Sequence, residues 1–438
     1  MPRVGERDGN GRDRSVRAGI LVTGTEVLSG YVSDRNGPWL SERLGDIGIE
    51  VAEILTVGDR PEDLASALDY MRGQGLDLIV TSGGLGPTAD DLTAEVVARF
   101  AGRELVLDEE MEARIGEIIS GFARRMRFDP GALREANRKQ AMVPEGSTAL
   151  DPAGTAPGLV VPAGEQVVVV LPGPPRELQA MWPRALETEP VRGLLERAGE
   201  LRTSSIRMFG IPESELAQAL REIGDETDLE PLEIITCLRG GELVTDVRYR
   251  PDDTDAYEAL ARGLDERLGR FTYSVNGEGI EKVVARLMGG RTLAVAESCT
   301  GGMLAARLTD GPGASLWFAG GAVTYSDESK TELLGVDPNL IAAHGAVSPE
   351  VAEAMTDGAL KRFDADIACS VTGIAGPDGG TESKPVGYVC FCAKLASGEV
   401  LARDPVLPGA ARADIRERSV VVALHLIRFL LEGREPPR

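Results

Sequence analysis

One unit recurs along this chain: a short apolar run that ends in a glycine-bearing loop and opens into an amphipathic helix. AGILVTG with the helical NGPWLSERLGDIG shows it first, and IEVAEILTVGD with PEDLASALDYMRG repeats it. LDLIVTSGG then leads through GLGPT into DDLTAEVVARFAG, and further helices are expected near 108–126 and 131–140. Runs without a polar face suit strands buried between helix layers, and strands joined through helices pair in parallel. The unit returns at helix GIEKVVARLMGG, strand RTLAVAE, loop SCTGG and helix MLAARLTD. Between the two regions, RTSSIRMFG, LEIITCLRG and ELVTDVRYR read as strands and ESELAQALREIG and DAYEALARGLDERLG as helices, a smaller α+β grammar. The expected fold class is therefore multidomain α/β. Its parts are a flexible tail over 1–17, an α/β domain over 18–185, a small α+β domain over 186–275 and a second α/β domain over 276–438.

The 438 residues accommodate two to four domains at ~100–200 residues each. With 70 acidic against 47 basic side chains the net charge is -23, which argues against nucleic acid as a partner, since phosphate neutralisation needs a basic surface. Five cysteines without a CxxC pair serve neither a disulfide scaffold nor a tetrahedral zinc site. No apolar stretch approaches the ~20 residues of a membrane span, and the N-terminus lacks an apolar core, so a cytoplasmic protein is expected. The two histidines exclude HExxH chemistry. His425 lies in the apolar VVVALHLIRFLL and reads as packing, while His344 reads as a helix-end residue. Only six of the basic residues are lysines. Arginine is always protonated and cannot act as a base, whereas a desolvated lysine can.

Two constellations carry chemistry. In SGGLGPTADD, Gly83 and Gly84 let backbone approach a ligand, and Asp90 and Asp91 either hold a divalent cation or cap the following helix. GTEVLSG, with Thr25 and Glu26, would lie beside it at the carboxyl edge of a parallel sheet, where such folds bind ligands. In AESCTGG, Ser298 or Cys299 precedes a helix start, with Thr300, Gly301 and Gly302 as backbone donors. TYSDESK brings Tyr325 and Lys330, and VTGIAGP brings Thr372, Gly373 and Gly376, to loops that could face the same pocket. A serine nucleophile without a nearby histidine needs a lysine base, and Lys330 would have to be buried to lose its proton near neutrality. The other reading is a phosphate-binding loop in which Ser298 only hydrogen-bonds. Cys299 reads as a packing residue.

Together GTEVLSG, SGGLGPTADDLT, NRKQAMVPEG, GTAPGL, LPGPPREL, AESCTGG, TYSDESK, HGAVS and VTGIAGPDGG with KPVG resemble the CinA (competence/damage-inducible protein A) family, from about Ala18 to the last helix. The resemblance implies a molybdopterin-binding-like first domain associated with metal-dependent ADP-ribose pyrophosphatase activity. It implies a small KH-like connecting domain and a C-terminal amidase converting nicotinamide mononucleotide (NMN) to nicotinate mononucleotide and ammonia, in a homodimer. Ser298 matches the family's nucleophile, Lys330 its base and Tyr325 a neighbouring tyrosine. Thr372, Gly373 and Gly376 match the substrate-holding loop, and Arg412 and Arg416 resemble arginines that face ligand phosphate. That phosphate is expected at the Gly301-Gly302 helix start or on an arginine. Thr25, Glu26, Gly83, Gly84, Asp90 and Asp91 match the first domain's ligand and metal edge. The amidase needs no cofactor, whereas the pyrophosphatase needs a divalent ion such as Mg, Mn or Co. Ala89 stands where that motif often carries a charge, and TESKP replaces a more acidic run before Lys384. The other readings are a first domain that only binds a nucleotide or a molybdopterin, and a scaffold protein of competence or DNA damage.

Overall fold

The computed structural model describes residues 16–123, 130–409 and 411–437. Of the expected tail over 1–17, residues 1–15 lie outside the described residues, and Arg17 already opens the first strand. The chain divides into two compact units, Met1–Arg202 and Thr203–Arg438.

In the first unit the strands Glu50–Val57, Arg17–Thr23, Leu78–Ser82, Gln166–Leu171, Gly158–Ala163 and Thr148–Leu150 form one sheet in that order. The first four run parallel and the last two antiparallel. Leu78–Ser82 and Gln166–Leu171 are buried at every position, which explains their mostly apolar sequences, LIVTS and QVVVVL. Glu50–Val57, at the edge, alternates exposed and half-buried residues over most of its length. Separate apolar clusters cover the two faces, one around Leu40, Val80 and Met181 and the other around Leu68, Val97 and Val168. The helix Glu189–Ala198 buries Val191, Leu194 and Ala198 against the first of these. The expected junction at 185/186 therefore falls inside the first unit, which runs on to Arg202.

The second unit opens with a four-stranded sheet in the order Glu233–Arg239, Glu242–Tyr249, Arg202–Phe209, Thr272–Ser274. The helices Glu213–Glu226 and Thr254–Leu268 share its core through Ile223, Leu260 and Leu264. A five-stranded sheet follows, ordered Phe318–Val323, Leu293–Glu297, Ile367–Gly373, Val389–Leu395, Val400–Arg403. Its first three strands are parallel and its last two antiparallel. The helices Ile280–Leu287 and Arg412–Glu432 belong to one apolar cluster, and Asp327–Leu334 and Pro349–Phe363 to the other.

His425 is a packing residue, as its apolar surroundings suggested. It is fully buried, stacks on Phe209 with ring centroids 3.7 Å apart, and places Nε2 2.7 Å from Glu242 Oε1. Burial pushes its imidazole down to about 4, against the opposing pull of Glu242. His344 ends the helix Pro338–His344 and pairs with Glu350 at 3.2 Å. Cys369, Cys390 and Cys392 are buried in their strands. No helix among the described residues is long and apolar enough to cross a membrane.

Candidate active site

Leu293–Glu297 lies between two parallel neighbours, so its end meets theirs at one edge of the sheet. Glu297 is in register with Val323 on one side and Val371 on the other. The loops that leave this edge carry Ser298, Thr324-Tyr325 and the segment after Thr372, the arrangement in which open parallel sheets bind ligands. Ser298 is half-buried, and its amide donates to Val371 O at 2.9 Å.

Lys330 reaches this edge from the helix Asp327–Leu334, whose start is fixed by a capping box between Ser326 and Ser329. The side chain is 1% exposed and ends with Nζ 3.4 Å from Ser298 Oγ and 3.0 Å from Thr324 O. Asp327, itself more than half exposed, stands 4.0 Å away. Burial, the largest influence, pulls the amine below its ordinary value of 10.5, while Asp327 acts in the other direction. A buried amine beside a hydroxyl, with a carbonyl as its other close partner, is equipped to remove the hydroxyl proton.

The Arg412–Glu432 helix brings both expected arginines to the same edge. Arg416 donates from Nε to Cys299 O at 3.0 Å and from Nη2 to Thr300 O at 2.9 Å, which ties down the turn after Ser298. Arg412 is exposed and donates to Gly376 O at 2.8 Å and to the Tyr325 hydroxyl at 2.5 Å. Tyr325, 60% exposed, stands with it at the rim. The Thr372 hydroxyl is committed to the fold, donating to Ala346 O at 2.8 Å. Gly373 ends its strand half-buried, with space for a Cβ closed by Val389. Lys384 donates to His344 O and Val347 O at 2.8 and 2.7 Å.

One expectation is corrected. The Gly301-Gly302 helix start does not offer free donors to a phosphate. Gly301 N donates to Ser298 O at 3.1 Å, and the buried Glu297 carboxylate accepts from Gly302 N and Leu304 N at 3.0 Å and from Ala305 N at 2.9 Å. A negative charge built into the site already occupies this end of the helix. The amides of Cys299 and Thr300, by contrast, donate to no backbone carbonyl among the described residues. Thr300 is fully buried and its hydroxyl has no hydrogen-bond partner among the described residues. Cys299 is buried, which pushes its thiol up to about 12 and leaves it a packing residue rather than a nucleophile.

In the first unit, Gly83 and Gly84 have positive φ angles of 109° and 67° at the carboxyl edge of the sheet, where a Cβ would strike Thr23 and Thr93. Asn36 was not singled out from the sequence. It is buried, donates to Ser82 Oγ at 2.8 Å and to Gly173 O at 2.7 Å, and keeps Oδ1 without a partner among the described residues. Thr25 donates through both amide and hydroxyl to Asp59, at 2.9 and 2.7 Å, and Glu26 is exposed. Asp91 accepts from the amide and the hydroxyl of Thr88, at 2.9 and 2.5 Å, and the neighbouring Asp90 is exposed. Among the described residues no three carboxylate, thiol or imidazole groups converge on one point. This donor set does not fit the expected divalent-ion site, because Asp91 is engaged within its own turn and Asp90 points to solvent with no third ligand beside it.

Two family models match separate regions of the chain. Residues 278–431 match the model of the "CinA C-terminal domain", and residues 19–190 match that of the "Probable molybdopterin binding domain". A CinA-like protein of Mycobacterium sp. (strain MCS) is 57% identical over 420 residues, covering 95% of this chain and 99% of that protein. The CinA-like protein of Mycobacterium tuberculosis (strain ATCC 25177 / H37Ra) is 54% identical over 424 residues, covering 96% and 98%. The solved structure of the competence/damage inducible protein CihA from Agrobacterium tumefaciens is 38% identical and covers 36% of this chain and 99% of that one, with a TM-score of 0.34. Identity above one half, over nearly the whole length of both proteins, places this chain in the CinA family.

Proposed function

We propose that the second unit deamidates NMN, releasing nicotinate mononucleotide and ammonia. The observation that carries this reading is the buried Lys330 amine 3.4 Å from Ser298 Oγ. Ser298 Oγ bonds to the carboxamide carbon while its proton passes to neutral Lys330 Nζ. The tetrahedral oxyanion accepts from the amides of Cys299 and Thr300, donors of a kind worth ~2.7–4 kcal/mol each. Lys330 returns the proton to the departing nitrogen, the C–N bond breaks and ammonia leaves. Water then attacks the ester, gives its proton through Lys330 to Ser298 Oγ, and frees the carboxylate. Incubating the full-length protein with NMN and quantifying both products tests this reading. Equimolar nicotinate mononucleotide and ammonia are expected, and a folded protein that yields neither refutes it.

The substrate phosphate is assigned to Arg412. Its guanidinium is exposed beside Tyr325, whereas Arg416 is committed to the Ser298 turn. A charge-assisted hydrogen bond is worth ~1.5–3 kcal/mol, so Arg412→Ala is expected to raise KM for NMN roughly 10- to 100-fold with kcat nearly unchanged. A fall in kcat at constant KM would remove Arg412 from phosphate binding.

For the first unit the unpartnered Asn36 Oδ1 at a glycine-lined sheet edge favours nucleotide recognition over metal-assisted hydrolysis. Titration with ADP-ribose is expected to raise the melting temperature without forming AMP. AMP formation that is lost on chelation would restore the pyrophosphatase reading. The names of the relatives point to competence and DNA damage, but a net charge of -23 argues against direct contact with DNA.

A further inference from the structure

We propose that Glu297 is a positioning residue for the Ser298–Lys330 pair. It acts as an internal anion that fixes the turn of the nucleophile and closes the adjacent helix end to the substrate phosphate; the inference rests on the amidase reading above. The carboxylate is 1% exposed and forms no ion pair with a cationic side chain among the described residues. Its charge is met instead by the three amides of Gly302, Leu304 and Ala305, at 2.9–3.0 Å. To wrap around it, the chain takes positive φ angles at Gly301 (57°) and Gly302 (94°), which glycine adopts without strain.

The same residue also governs the base. Glu297 O accepts from Thr324 N at 2.7 Å, and Thr324 O in turn accepts from Lys330 Nζ at 3.0 Å. Nucleophile and base therefore hang from one residue, through its carboxylate on one side and its carbonyl on the other. The turn that Glu297 holds is also the one that carries the Cys299 and Thr300 amides, neither of which donates to a backbone carbonyl among the described residues. A glutamine is nearly the same size, but its NH₂ group would confront amide donors that a carboxylate accepts. An aspartate keeps the charge with one methylene less of reach.

The test compares full-length wild type, Glu297→Gln and Glu297→Asp in NMN kinetics. In parallel, the rate at which a fluorophosphonate probe labels Ser298 is followed by intact mass, and melting temperatures report folding. Misplacing oxyanion donors costs about 10²-fold or more, so Glu297→Gln is expected to lower kcat and the labelling rate together by roughly 100-fold, with KM within about threefold of wild type. Glu297→Asp is expected to recover roughly tenfold of that loss, because the charge that meets the amides is kept. If Glu297→Gln does not fold, Glu297→Asp carries the test through a lowered kcat at constant KM. A kcat close to wild type in the folded variants, or a change confined to KM, would overturn the proposal. A wild-type chain that is labelled at Ser298 but makes no product would defeat the amidase reading alone, and the labelling rates would still decide the role of Glu297. Failure of both labelling and turnover in the wild type would overturn both.

Discussion

Replacing Lys330 with methionine is expected to lower kcat for NMN by roughly 10²- to 10⁴-fold, the range that a positioned general base contributes. The effect should be this large because neither histidine is placed to take the Ser298 proton. His425 is sealed in the core with its Nε2 on Glu242, and His344 pairs with Glu350. Methionine fills the buried channel at similar volume, so the loss reports chemistry rather than a cavity. The sign of the pH dependence follows from the burial that lowers the amine's pKa below 10.5. The working form is the neutral amine, so kcat/KM should rise about tenfold per pH unit below that lowered value and level off above it. An arginine at 330 stays protonated and should abolish the plateau. A variant without the amine that keeps the wild-type pH profile would show that another group is the base.

Ser298→Ala is expected to remove roughly 10³-fold or more of the rate while leaving NMN affinity nearly intact, because a missing nucleophile is lost from the chemical step alone. The adjacent Cys299 cannot substitute. Its side chain is buried and its thiol, pushed up to about 12, holds its proton at any working pH. Ser298→Cys offers a sharper contrast, since a thiol placed at the half-buried position beside Lys330 would be a competent nucleophile where Cys299 is not. Thiol-directed labelling of that variant at position 298, mapped apart from the partly exposed Cys237 that both proteins share, would mark the position itself as the activated one.

The long elements were legible because burial on both faces writes a run of mostly apolar residues, as in Leu78–Ser82 and Leu293–Glu297. The strands Leu105–Leu107, Met142–Pro144, Thr148–Leu150 and Thr272–Ser274 escaped, since three residues are too few to show a period. The helix Glu189–Ala198 was seen neither as an element nor as part of the first unit, because its partners Leu178 and Met181 are a tertiary fact. In the site, Ser298 and Lys330 could be read from the rarity of lysine and the absence of a nearby histidine, and the structure brings them together. The helix start at Gly301-Gly302 was assigned to phosphate because glycine spacing shows where donors stand but not what accepts from them. The acceptor, Glu297, stands in the same motif one residue before the nucleophile, and an acid immediately ahead of a helix start was the signal that could have revealed it. Asn36 gave no such signal: its neighbours Ser82 and Gly173 are distant in sequence.

The central claim is tested most directly by measuring NMN binding calorimetrically and both products chromatographically, for the full-length wild type and Ser298→Ala side by side. The account expects equal binding by the two proteins, with nicotinate mononucleotide and ammonia in one-to-one amounts from the wild type and neither from the variant. Release of both products by Ser298→Ala at the wild-type rate would contradict it.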